Sequence, residues 1–203
     1  FLPTFFSGFI FKYEFEEEID WSKIYIICPN HASNLDIFTM SLVAQNNFFF
    51  LGKQELLDNP VTKIFFQTID IPINRESKIS SFKAFQKTSE RIKKGMSPII
   101  FPEGKIGKEF PPILHEFKNG PFRLAIEHQI PIIPVTIQGN WKLWWDDGKE
   151  YGCKPGISKV YIHKPIDVTG FNLKDDEILK NLVYQKIKSK LNYEYSYKEA
   201  AFV

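Results

Sequence analysis

At 203 residues, 43% of them hydrophobic and 16% aromatic, the chain is long enough for one domain with a sizeable core, or one domain and a short arm. Its 26 Lys and Arg stand against 24 Asp and Glu, and a net charge of +2 argues against a dedicated nucleic-acid binder, whose affinity rests on a concentrated basic excess. Two distant cysteines, Cys28 and Cys153, and four scattered histidines argue against a disulfide framework or a zinc site, with a reducing compartment as the default.

The chain opens FLPTFFSGFIFKYEF, where Leu2, Phe5, Phe6 and Phe9 recur at helical spacing as one apolar stripe. A core helix would explain it; the density of phenylalanine favours an interfacial or membrane-anchoring segment whose upstream part is missing. No stretch approaches the roughly 18 unbroken apolar residues of a membrane-spanning helix. Ile24–Cys28 then reads as a buried strand, followed by Pro29-Asn30-His31 and a helix across residues 35–44. Phe48–Leu51 is expected to be a strand, residues 61–67 a short helix and Asp70–Ile73 a third strand. Residues 77–94 are expected to form a basic helix, with Gly95 in the usual position after its end. Lys78, Lys83, Lys87, Arg91, Lys93 and Lys94 face a single acid there, Glu90, a pattern that suits a solvated face or an anionic membrane surface. Ser97–Phe101 reads as a buried strand, Gly120–His128 as a helix, Ile132–Ile137 and Lys159–His163 as strands and residues 175–191 as a closing helix. The tail from Asn192 shows no period. This alternation implies an α/β domain with a largely parallel or mixed sheet covered on both faces.

Chemically capable residues follow four successive strands: His31, Lys53, Arg75 and Glu103. Ligands of α/β sheets gather at the carboxyl ends of the strands, so these four are expected to share one site. In CPNHASNLDIF, His31 and Asp36 lie five apart. On one continuous helix they would diverge by about 140°, so they meet only if His31 stands in the loop before the helix and Asp36 in its first turn. An Asp that accepts from one imidazole nitrogen leaves the other as a general base. The same residues also fit a helix start, because Ser33-x-x-Asp36 matches a capping box in which Asp36 satisfies backbone N–H groups. In IIFPEGKIGK, a buried strand runs into Pro102-Glu103-Gly104, a loop whose backbone amides can approach an anion, with Lys105 and Lys108 adding charge. Alternatively this is a plain solvated turn, and Arg75 in IPINRES a surface arginine paired with an acid.

NHASNLD, INR, FPEG and IPIIPVTI stand in the order and spacing of the four motifs of the glycerolipid acyltransferases, and residues 24–145 resemble that family, most nearly its bacterial 1-acyl-sn-glycerol-3-phosphate acyltransferases. The resemblance implies a three-layer α/β/α fold with a mixed, largely parallel sheet of the glycerol-3-phosphate acyltransferase type. With the phenylalanine-rich stripe read as interfacial, residues 1–15 are expected to form an N-terminal membrane-interfacial segment and residues 16–203 the acyltransferase domain. It further implies that His31 is the general base, oriented by Asp36, and that the acceptor hydroxyl attacks the thioester of acyl-CoA or acyl-ACP, which serve as co-substrates with no cofactor or metal. Lys53, Arg75, Glu103 and Gly104 match family positions for acceptor binding. Lys105 and Ile106 stand where the family has Thr and Arg, so either Lys105 or Lys108 supplies the charge for an acceptor phosphate or the acceptor is another lyso-lipid or an amino-acid lipid. A catalytically silent lipid-binding module is the reading from outside enzymology. The implied partners are a lysophospholipid, the acyl donor and a membrane surface, and the implied location is the cytoplasmic face of the inner membrane, with no nucleic acid.

Overall fold

All four residues of β2 (Ile26–Pro29) are buried, which is what a strand in the middle of a sheet covered on both faces requires. The structure, a computed structural model, describes residues 8–45, 47–53, 70–73, 77–145 and 152–191. Within them, β1 (Phe9–Phe15), β2, α1 (Leu35–Val43), β3 (Phe48–Lys53), β4 (Ile71–Ile73), α2 (Lys78–Lys93), β5 (Ser97–Ile99), α3 (Gly120–His128), β6 (Ile132–Gln138), α4 (Asn140–Leu143), β7 (Gly156–Ile162) and α5 (Asp176–Lys190) follow in order. A 3₁₀ turn, Leu173–Asp175, leads into the last helix.

The strands form one seven-stranded sheet in the order β1-β7-β6-β2-β5-β3-β4, with β2 at its centre. Every pairing is parallel except β6 with β7. The sheet is therefore mixed and largely parallel, as expected. Strands β2 to β6 all point one way, so their carboxyl ends share one edge. Because β7 reverses and β1 runs parallel to it, β1 starts at that same edge.

Successive residues of β2 feed opposite layers. Ile26 and Cys28 pack with Ile92 of α2, Phe122 and Ala125 of α3 and Leu179, Val183 and Ile187 of α5. Ile27 packs with Met40 and Val43 of α1 and with Ile19 and Tyr25 from the approach to β2. Each fully buried Ile or Leu contributes about 1.5–3 kcal/mol relative to exposure, and the three layers of the α/β/α sandwich rest on these two clusters. The helix ends follow local chemistry. Ser77 caps α2 by accepting from Ser80 N at 3.2 Å, and Gly95, at φ 85°, turns the chain out of it. Pro121 sits in the first turn of α3, where no N–H is needed.

One expectation differs from the structure. Phe9 opens a β-strand that pairs with β7 over its full length, where helical spacing linked it to Leu2, Phe5 and Phe6. The reason is visible in FIFKYEF: Phe9, Phe11, Tyr13 and Phe15 alternate with Ile10, Lys12 and Glu14, a period of two that overrides the helical stripe. Leu2, Phe5 and Phe6, the helix expected over 61–67 and the tail from Asn192 lie outside the described residues. Cys28 is buried and Cys153 exposed, both as free thiols. Among the described residues no helix is long and apolar enough to cross a membrane.

Candidate active site

The loop after β2 is pinned before it reaches its histidine. Asn30, buried, uses its side-chain amide as a further rung of the β2–β6 ladder: Oδ1 accepts from Ile137 N at 2.7 Å and Nδ2 donates to Ile137 O at 3.1 Å. His31 follows in the loop, and its backbone N–H donates to Glu103 Oε1 at 2.7 Å. The chain then turns into α1, where Asp36 N donates to Ser33 O at 3.1 Å. His31 is thus in the loop and Asp36 in the first helical turn, the one arrangement in which the pair can meet.

They do meet. Asp36 Oδ2 lies 3.2 Å from His31 Nδ1. The same oxygen accepts from Ala32 N at 2.7 Å and Ser33 N at 2.8 Å. Asp36 therefore does both things at once: it satisfies backbone amides at the helix entrance, and those amides fix the carboxylate that faces the imidazole. Its other oxygen accepts from Asn140 Nδ2 at 2.9 Å, and that nitrogen is also 2.8 Å from Thr39 Oγ1. The imidazole stacks on Phe101, ring centroids 4.0 Å apart. With Nδ1–H donating to Asp36, Nε2 is the nitrogen that presents a lone pair.

Glu103 stands just below. Its carboxylate is 3% exposed, accepting from His31 N through Oε1 and from His115 N through Oε2 at 2.9 Å. Burial pushes its pKa up to about 8, against the pull of those two amides and with a smaller upward push from the Asp36 charge. Gly104 follows at φ 77°, in the left-handed region where glycine is at home. Lys105 and Lys108 are exposed on the loop beyond it. A Cβ at Gly107 would meet the tips of His115 and Glu109, which are 3.2 Å from each other, and would displace them. Lys53 ends β3 at the shared carboxyl edge, but its side chain, like the whole of Arg75, lies outside the described residues. Of the eight sequence-derived site residues, His31, Asp36 and Glu103 are joined by hydrogen bonds, with Gly104, Lys105 and Lys108 directly following.

Two features went unread in the sequence. Asn140 reaches Asp36 from 104 residues away, and an Asn after a strand has no local signature for such a contact. An aromatic wall also borders the loop: Trp141 and Trp145 pack with Ala32, and Phe110 meets both rings edge-on at 5.4 and 5.5 Å. Ser33 Oγ donates to Trp144 O at 2.6 Å and ties this wall to the loop. The tryptophan-rich WKLWW was the available clue. No group of three or more metal-ligating side chains occurs among the described residues.

Comparison with known proteins gives these contacts a setting. A family model described as Acyltransferase matches residues 10–138. An uncharacterized acyltransferase of Schizosaccharomyces pombe is 30% identical over 82% of this chain and 60% of its own length. A chloroplastic 1-acyl-sn-glycerol-3-phosphate acyltransferase of Brassica napus is 32% identical over 75% of this chain and 43% of its own. The enzyme of that name from Haemophilus influenzae is 31% identical over 72% and 59%. Among solved structures, the 1-acyl-sn-glycerophosphate (LPA) acyltransferase of Thermotoga maritima superposes with a TM-score of 0.71 at 25% identity, covering 91% of this chain and 70% of that one. The chain thus spans between 43% and 60% of the length of these three sequence relatives.

Proposed function

The chain belongs to the acyltransferase family, and on that premise we propose that it moves a fatty acyl group from acyl-CoA or acyl-ACP to the free hydroxyl of 1-acyl-sn-glycerol-3-phosphate, giving phosphatidic acid. The observation that carries this reading is the His31–Asp36 contact with the carboxylate held by three further donors. Asp36 keeps the proton on Nδ1, and His31 Nε2 takes the proton of the acceptor hydroxyl as its oxygen attacks the thioester carbonyl. Collapse of the tetrahedral species breaks the C–S bond, and the imidazolium returns its proton to the departing thiolate. Glu103 holds the His31 backbone in place, so its buried carboxylate acts on the base rather than on the acyl group. Lys53, Arg75, Lys105 and Lys108 supply cations for the acceptor phosphate, and the reaction takes place at the cytoplasmic surface of a membrane.

A second acceptor is favoured by one specific feature: Lys105-Ile106 replaces the Thr-Arg pair of the family motif, and a lysine cannot reproduce the bidentate fork of an arginine. Under that reading the acceptor is a lyso-lipid with a larger head group or an amino-acid lipid. The deciding experiment supplies purified protein with one labelled acyl thioester and a panel of such acceptors. Product from lysophosphatidic acid at the highest kcat/KM supports the first reading. Preference for an esterified phosphate supports the second, and no acyl transfer to any acceptor refutes both.

A further inference from the structure

Helix α2 is amphipathic in the expected sense along most of its length, burying Ala84, Thr88 and Ile92. Its first two turns break the pattern. Ile79 is 71% exposed and Phe82 62% exposed, one next to the other on the helix surface. Lys83 and Lys87 continue the row begun by Ile79 at four-residue steps, both exposed, and no acid lies in the first turn. Beside them a hollow of about 350 Å³ is lined by Ser77, Ser80, Lys83 and Lys87. Two large apolar side chains standing in water beside a row of cations suit the boundary of an anionic bilayer, where apolar tips enter the acyl region and lysines meet lipid phosphates.

The topology says why those turns are where they are. α2 starts after β4, at the edge where β2 delivers His31. With strands about 4.8 Å apart, β4 lies roughly 14 Å to one side of β2. β1 lies about as far to the other side, and because it runs antiparallel to β2 the chain enters it through Gly8 at the same edge. His31 therefore sits midway between the first turn of α2 and the point where the N-terminal segment meets the sheet. We propose that this carboxyl edge of the sheet docks on an anionic lipid bilayer through Ile79, Phe82, Lys83 and Lys87 of α2, turning the mouth of the site toward the membrane. The inference rests on the acyltransferase reading for its purpose, since a lysophospholipid acceptor stays in the bilayer. It does not rest on that reading for its test.

The test is sedimentation of the full chain with vesicles of phosphatidylcholine alone or with a minority of phosphatidylglycerol, with no acyl donor or lysolipid present. Lys83→Glu with Lys87→Glu should weaken binding to the anionic vesicles by about fivefold or more per lysine, with little change on neutral ones. Ile79→Ser with Phe82→Ser should weaken binding to both. All four positions are exposed, and both double variants should melt as the parent does. Binding of both double variants within twofold of the parent would overturn the proposal. So would a parent that is a dimer in solution and is split by Ile79→Ser/Phe82→Ser, which would give this face to a second copy of the chain. His31→Ala should bind vesicles like the parent, so failure of acyl transfer and failure of docking are read separately.

Discussion

The loop of His31 and the loop of Lys105 lie side by side and could hardly be held more differently. The first is fixed from every direction: Asn30 locks it to β6, Glu103 holds the His31 backbone, and Asp36 receives two amides and the Asn140 side chain besides the imidazole. The second starts at a left-handed glycine and carries its two lysines into solvent. A buried, densely hydrogen-bonded loop holds one geometry, whereas exposed cations on a loop can follow a ligand. Under the proposed mechanism, the contrast teaches that proton transfer is built into the scaffold, while acceptor choice is left to a rim that sequence change can rewrite.

The sharpest break of that contrast is at the rigid loop. His31→Ala should lower kcat by roughly 10²–10⁴-fold with the melting temperature nearly unchanged, and Asp36→Asn should lose activity on a similar scale through the wrong tautomer. Turnover by His31→Ala close to the parent's would remove general-base catalysis from this site. At the rim the effects should be smaller and selective. A charge-assisted contact to phosphate contributes about 1.5–3 kcal/mol, so replacing whichever of Lys105 and Lys108 contacts it by Ala should lower kcat/KM for lysophosphatidic acid by about ten- to a hundredfold. The same change should matter little for an acceptor whose phosphate is esterified. Equal losses on both acceptors would show that the lysines support the fold rather than the phosphate.

Smaller again is the expected effect at Asn140. Asn140→Ala removes the donor to Asp36 Oδ1 and should lower kcat by about tenfold, the order of one or two hydrogen bonds, with KM held and the pH profile of kcat/KM displaced. Uniform loss at every pH with a falling melting temperature would reduce Asn140 to a packing role. The mildest signature is Glu103. Its carboxyl is raised from 4.5 to about 8 by burial, so between those values the folded protein holds a proton that the unfolded chain releases. Stability should therefore decline as pH rises through that window, the reverse of an ordinary paired carboxylate. Thermal melts from pH 5 to 9 of the parent and of Glu103→Gln should show the decline in the first and a flatter curve in the second.

The legibility of the site in the sequence followed from distance along the chain. His31 and Asp36 lie five apart, so a loop joined to a helix start permitted their contact, and the family resemblance singled it out. The family resemblance in NHASNLD, INR, FPEG and IPIIPVTI marked the remaining loops. Glu103 was singled out, but its partners were hidden: it bonds the backbone of His31, 72 residues away, and of His115, 12 residues away, through no pattern of its own. β1 shows the converse. Its alternation was present in FIFKYEF, but a helical stripe sharing Phe9 competed with it, and the pairing with β7 resolved the two.

By itself, then, the amino-acid sequence determined what depends on neighbours in the chain: most strands, the span of α3, the exit of α2 at Gly95, and the one arrangement in which His31 could meet Asp36. Periodicity, turn chemistry and capping act over a few residues, and these features need nothing more. Only the tertiary structure decided that Asn140 completes the grip on Asp36, that Glu103 lies buried beneath the loop with its proton affinity raised, and that the first turn of α2 shares an edge with His31. Each of these depends on strand order and direction, which are settled when two apolar faces of one sheet are covered at once. The free energy of that burial belongs to the assembled layers and to no single segment.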